Sequence, residues 1–274
     1  MNRLPRWLLI ALAVGPTAGL AAFYVWPFVT LVVEAIDATV LADTFGRAAT
    51  WEVVWFTLWQ AVASTVVTIA VGLVPAYVLA RYDFRGRTVI VGLLTAMFVL
   101  PTVVMGAAFL ALLPDSLDRT VWAVIGAHVV FNLAVVVRVV GSLWEHLPTD
   151  MEAAAATLGA SRWKVATQIS WPLVRPAVTA AATIVFLFTF TSYGVIRILG
   201  APGTRTIEVE VWRRATQLGD IGGAAVLALL QLAVLIVIVS WSTIAQRRHP
   251  QAIGLVPTSA RRRPRTVGER RFVA

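Results

Sequence analysis

Six stretches of this 274-residue chain carry no charged side chain: Trp7–Val33, Val53–Ala80, Thr88–Pro114, Thr120–Val137, Pro176–Ile196 and Ile221–Gln246. Each is 18 to 28 residues long. A hydrocarbon core about 30 Å thick takes about 20 helical residues to cross. Five stretches reach that length alone, and the fourth does so if its helix continues through Arg138 to about Leu147. Backbone groups in lipid must pair within their own segment, so these stretches are read as helices. An outer-membrane barrel would alternate apolar and polar residues in short segments, and these do not alternate. Hydrophobic residues make up 59% of the chain and charged ones 14%, against about 25% charged in soluble domains. The expected fold class is all-α: a polytopic membrane protein with six transmembrane helices. A water-soluble globule and a disordered chain are excluded. Cysteine is absent and the three histidines, His128, His146 and His249, are scattered, so no metal site is expected.

Six spans put both ends on one side. With the N-terminus inside, the inner segments hold Arg3, Arg6, Arg81, Arg85, Arg87, Arg162, Lys164, Arg175 and eight tail arginines; the outer ones hold Arg47, Arg119, Arg197, Arg205, Arg213 and Arg214. That bias supports N-in, C-in, and the tail accounts for most of the net charge of +9. The first stretch is longer than the apolar region of a secretory signal, so an uncleaved helix is expected. Pro16, Pro27, Pro75 and Pro101 interrupt the spans, which neighbouring helices in a membrane tolerate.

The inner segment between the fourth and fifth spans, residues 148–172, reads as a helix–turn–helix. Thr149 and Glu152 make a capping box after Pro148. Four alanines, 153 to 156, favour helix, and Gly159 suits the left-handed position that stops it. Ser161 can cap a second short helix, which Pro172 is expected to end. A short helix with small side chains has no core of its own and is suited to a partner's groove.

This segment resembles the EAA loop of permease subunits in binding-protein-dependent ABC importers, the MetI-like family. The pattern is Glu-Ala-Ala, three residues, Gly, nine residues, Ile, one residue, Leu-Pro. Aligned on Gly159, Ile169 and Pro172 fall in place; Ala153 occupies the Glu position, with Glu152 one residue earlier, and Trp171 the Leu position. The resemblance implies a coupling helix that docks on a cytoplasmic ABC ATPase dimer through Glu152, Ala153, Ala154, Leu158, Gly159, Ile169 and Pro172. It implies a second permease unit, identical or different, an extracytoplasmic substrate-binding protein, and location in the cell (bacterial inner) membrane. No G-x-x-x-x-G-K-[ST] sequence occurs. The chain is therefore expected to be no enzyme, without catalytic residues or cofactor, ATP and Mg being bound by the partner ATPase.

The likeness extends over roughly 51–243. Leu58-Trp59-Gln60-Ala61, Phe98-Val99-Leu100-Pro101-Thr102, Ala127-His128-Val129-Val130-Phe131-Asn132-Leu133 and Phe190-Thr191-Ser192-Tyr193 are similar to thiamine transport permeases, with ferric-iron permeases the close alternative. Such permeases are often one chain of two six-helix halves. This chain looks like the N-terminal half, and its ending resembles the linker before a second. The implied organisation is 1–50, a first helix and external loop; 51–246, a five-helix permease core; and 247–274, a basic tail or linker that can meet anionic lipid. Nucleic acid is not an expected partner. The implied external docking surface is the loop 200–220.

His128 and Asn132 lie at i and i+4 on one face of the fourth span, either lining a translocation pathway or bonding helix to helix. Thr191, Ser192 and Tyr193, with Thr189, form a polar group in the fifth, with the same two readings. Arg138 is expected to snorkel toward the inner interface. A secondary carrier or channel, the reading from a different class, usually places ionisable residues near mid-membrane, and the spans hold none there.

Overall fold

The first apolar stretch forms one unbroken rod: α1 (Arg6–Leu20), a π-helical turn over Ala21–Val25, and α2 (Trp26–Ala35). Pro27 has no N–H to give the helix, and the wider turn before it absorbs the missing bond. The computed structural model describes residues 6–147 and 149–247. The basic tail beyond 247 and the Thr149 side chain of the expected capping box lie outside the described residues.

The remaining elements are α3 (Ala38–Gly46), α4 (Ala48–Arg81), α5 (Arg87–Val99), α6 (Thr102–Leu112), α7 (Val121–His146), α8 (Thr149–Thr157), α9 (Arg162–Val165), α10 (Trp171–Phe190), α11 (Gly194–Leu199), α12 (Ile207–Arg213) and α13 (Ile221–Arg247). Five helical segments are long and apolar enough to cross a bilayer: 12–35, 48–81, 121–146, 162–190 and 221–245. The α5–α6 pair is the sixth, bent by 111°. The fold is all-α with six membrane-crossing segments.

Three details differ from expectation. The third span is broken, because Leu100 and Pro101 are extended (ψ 138° and 137°) and Pro101 cannot donate to Met97. The fifth ends at Phe190, six residues early, and α11 restarts at Gly194. Pro172 does not end the short helix begun at Arg162. A π-helical turn over Ala166–Ser170 carries the helix past the proline, so Arg162–Phe190 is continuous.

The chain divides into two units. The larger, residues 53–209 and 233–274, is built around a parallel helix pair. Ser64 meets His128, a Cβ on Gly72 would lie 2.8 Å from Val136, a Cβ on Gly141 would lie 3.4 Å from the Ala76 carbonyl, and Arg81 reaches the Leu147 carbonyl. The sequence offset moves only from 64 to 66, so α4 and α7 run side by side in the same direction. Gly72 and Ala76, four apart, let the backbones approach, as small residues do between membrane helices. Val174, Ala177, Val178, Ala181 and Val185 of α10 close the core against Val135, Val136 and Val140 of α7. The broken helices pack on each other: a Cβ on Gly194 would strike the Thr102 hydroxyl and lie 2.7 Å from the Val103 nitrogen.

The smaller unit comprises residues 1–52 and 210–232. Within it, a Cβ on Gly222 of α13 would lie 2.6 Å from the carbonyl that ends α2, Ala35. Asp37 caps α3 by accepting from the Val40 N–H at 2.8 Å.

Candidate functional site

The α8–α9 segment follows from local chemistry. Gly159 adopts φ +82°, and Ala160 N–H donates to the Ala155 carbonyl at 3.0 Å while Gly159 N–H donates to that of Ala156 at 3.1 Å. This Schellman closure stops α8 where a Cβ would be strained. Ser161 then caps α9, its hydroxyl accepting from Lys164 N–H at 3.3 Å.

The two faces of α8 have opposite roles. Met151, Ala154 and Leu158 (i, i+3, i+7) are exposed, Leu158 at 88%, and Trp163 beyond the turn is 76% exposed. Glu152 and Ala155 face inward and are half-buried. The Glu152 carboxylate is held by two other elements. It accepts from Arg81 Nη2 at 2.9 Å and from the Ser170 hydroxyl at 2.9 Å. Arg81, the last residue of α4, is 8% exposed and also donates to the Leu147 carbonyl at 3.3 Å. A one-residue shift turns a helical side chain by about 100°. Position 153, where the family pattern has its carboxylate, is exposed; position 152, where this chain has it, faces α4. Ala153, Ala154, Gly159 and Pro172 are exposed and Ile169 is half-buried. Arg81 and Ser170 were missed from sequence; a basic residue closing a long helix is the only signal for Arg81, and Ser170 gives none.

The polar residues of the spans form a second group in the larger unit. His128 is 2% exposed and bridges Ser64 Oγ, 3.1 Å from Nδ1, and Ser192 Oγ, 2.8 Å from Nε2. Asn132, 1% exposed, donates to the His128 carbonyl at 2.9 Å. Gln60 donates to the Thr189 carbonyl at 2.8 Å. These bonds tie α4, α7 and the end of α10 together at the break. Thr191 and Tyr193, on either side of buried Ser192, are half-exposed. Gln60 and Ser64 belong to the stretch that carries the family likeness, but no site role is expected of them from sequence.

The external loop is largely folded. The Ile207 N–H donates to Thr57 Oγ1 at 2.9 Å, and Ile207 is fully buried. In the smaller unit, Glu210 accepts from Arg213 Nη2 at 2.6 Å and Arg214 Nε at 3.1 Å, and Arg214 also faces Asp220 at 3.6 Å. Four of the six charged residues in the loop 200–220, Glu210, Arg213, Arg214 and Asp220, therefore pair with one another.

Residues 68–249 match the family described as binding-protein-dependent transport system inner membrane component. The chain is 28% identical over 259 residues to the thiamine transport system permease protein ThiP of Salmonella typhimurium, covering 86% of this chain and 47% of that one. It is 28% identical over 214 residues to the sulfate transport system permease protein CysT of Escherichia coli, covering 72% and 77%. The chain spans less than half the length of the thiamine permeases it matches. Its fold is similar to a crystal structure of a bacterial alginate ABC transporter in complex with alginate pentasaccharide-bound periplasmic protein, with TM-score 0.73 at 18% identity, covering 88% of this chain and 94% of that one. The chain belongs to the family of binding-protein-dependent transport system inner membrane components, as a multi-pass protein of the inner membrane.

Proposed function

We propose that this chain is one membrane-spanning unit of an ATP-driven importer and couples to a cytoplasmic ABC ATPase through residues 149–172. The observation that carries the reading is the α8 stripe of Met151, Ala154 and Leu158, apolar yet exposed, on a helix held to its own bundle by its opposite face. Such a stripe fits the helix-in-groove mode of recognition. Ala153, Leu158, Gly159, Ile169 and Pro172 shape the docking face, and Glu152 sets its orientation. ATP and Mg belong to the ATPase. A second permease unit, identical or different, completes the pathway, and an extracytoplasmic binding protein delivers the solute, a reading supported by the alginate transporter's complex with an alginate-pentasaccharide-bound periplasmic protein. Along the pathway, Thr191 and Tyr193 are the half-exposed members of the polar group, while His128, Asn132 and Ser192 hold the helix break in place.

The proposed solute is thiamine, on the strength of the thiamine permease relatives. Sulfate is the second reading, because a sulfate permease is as similar in sequence over a larger share of its own length. The ferric-iron alternative has only the sequence likeness that suggested it. Purification of the tagged chain from its native membrane is expected to bring down an ATPase with a phosphate-binding loop; a chain that carries none under conditions preserving other transport complexes overturns the coupling reading. Uptake of labelled thiamine is expected to fall when the chain is deleted while sulfate uptake holds, and the opposite pattern assigns sulfate.

A further inference from the structure

We infer that Arg138 and Thr95 form an anionic-phospholipid site on the groove between α5 and α7, in the cytoplasmic leaflet. Arg138 lies eight residues, about 12 Å of helix, before the inner end of α7. It is exposed, and its Nη2 donates to Thr95 Oγ1 at 3.3 Å. The Thr95 hydroxyl gives its own proton to the Val91 carbonyl at 2.8 Å, so its oxygen is free to accept. No carboxylate pairs with Arg138 among the described residues. A lone cation at this depth costs several kcal/mol unless a counter-charge reaches it.

The surroundings select the counter-charge. The groove is shallow, with a cavity volume of only about 10 Å³, and its other lining residues are Val91, Leu94, Ala134 and Val137, all aliphatic. That lining suits an acyl chain and gives a free oxyanion nothing beyond Arg138 and Thr95. A second copy of this chain brings no carboxylate to that depth, since the inner halves of the crossing helices hold only Glu145, seven residues nearer the helix end. Arg87 lies on the same face of α5 as Val91 and Thr95 (i, i+4, i+8), anchored by its Nε bond to the Leu79 carbonyl at 3.0 Å, and marks the rim of the groove. Basic pockets between helices on the cytoplasmic side are where anionic headgroups bind. The phosphate would meet the Arg138 guanidinium, with one acyl chain lying over the aliphatic side chains beside it. The inference holds whether or not the importer reading does.

The test is native mass spectrometry of the protein purified with its partners, titrated with dioleoyl-phosphatidylglycerol and, separately, dioleoyl-phosphatidylcholine. The intact protein is expected to prefer the anionic lipid. Arg138→Gln should weaken that lipid by about fivefold, the value of one basic contact at a charged membrane surface, and leave the zwitterionic one unchanged. Arg138→Lys keeps the charge and should keep the preference, which separates loss of the site from loss of the fold. Equal retention by Arg138→Gln overturns the site. Loss of a paired permease unit without change in lipid assigns Arg138 to a protein contact instead. Displacement of the lipid by excess sulfate assigns it to a soluble anion.

Discussion

Arg81 and Arg214 are both buried arginines with a carboxylate partner, and they are built on opposite plans. Arg214 bonds Glu210, one turn back on the same stretch of chain, and both side chains are only 4% exposed. Arg81 bonds Glu152, 71 residues away, whose side chain is 27% exposed. The first pair is local and dry, and it shapes the loop that contains it. The second is long-range and half-wet, and it fastens a short loop helix to a spanning one. A desolvated pair is costly to break from one side because a buried charge is left behind; where one partner is partly hydrated, as Glu152 is, water offsets part of that cost.

The largest effect is therefore expected at Glu210→Ala, which should lower unfolding stability in detergent by about 3–5 kcal/mol. The double replacement Glu210→Met with Arg214→Met should recover most of that loss. A single-variant loss below about 1 kcal/mol would erase the contrast between the two pairs. Next comes Gly159→Glu. Its Cβ would meet open space, but φ +82° costs a residue with a Cβ about 1–2 kcal/mol. Membrane insertion should survive while solute uptake is lost, and normal uptake by an assembled variant complex would sink the coupling assignment.

Glu152→Gln is expected to be milder, about 1 kcal/mol in stability, because the amide oxygen still accepts from Arg81 and Ser170 although the buried Arg81 loses its counter-charge. The sharper readout is ATP hydrolysed per solute imported, which should rise, and exchanging the charges (Arg81→Glu with Glu152→Arg) should bring it back toward the original value. The smallest effect concerns Asp37, an exposed cap whose carboxyl the Thr39 hydroxyl and the Val40 N–H hold below the usual range. A depressed carboxyl stabilises α3 above its ordinary titration range and loses that effect as the pH falls through the lowered value. Hydrogen exchange at the Val40 amide, corrected for intrinsic rate, should lose protection at acid pH, and Asp37→Asn should remove the pH dependence.

What sequence could reveal follows chain distance. The Gly159 turn and the Ser161 cap were legible because both are settled within five residues by backbone sterics and one hydroxyl. Charge-free length located the six spans because the bilayer itself imposes that length. Pro172 misled because a proline ends a helix only where the preceding turn cannot widen, and the Ala166–Ser170 turn does widen. The break after Phe190 carries neither charge nor proline. It is fixed by Gly194 seated against α6, a contact across more than ninety residues. Arg81 with Glu152, and Ser64 with His128 and Ser192, are likewise contacts that no local spacing encodes.

The parallel register of α4 and α7 also limits how this chain can change in length. Deleting one residue of α4 between Ser64 and Gly72 would swing all that follows by about 100° and draw it back about 1.5 Å. The Gly72–Val136 and Ala76–Gly141 contacts and the Arg81–Glu152 bond would come apart together. The same deletion in the connectors at 82–86 or 113–120 would leave each of them intact. The two helices act as paired rulers with matched graduations, so insertions and deletions among relatives should collect at the turns, where no graduation has to agree.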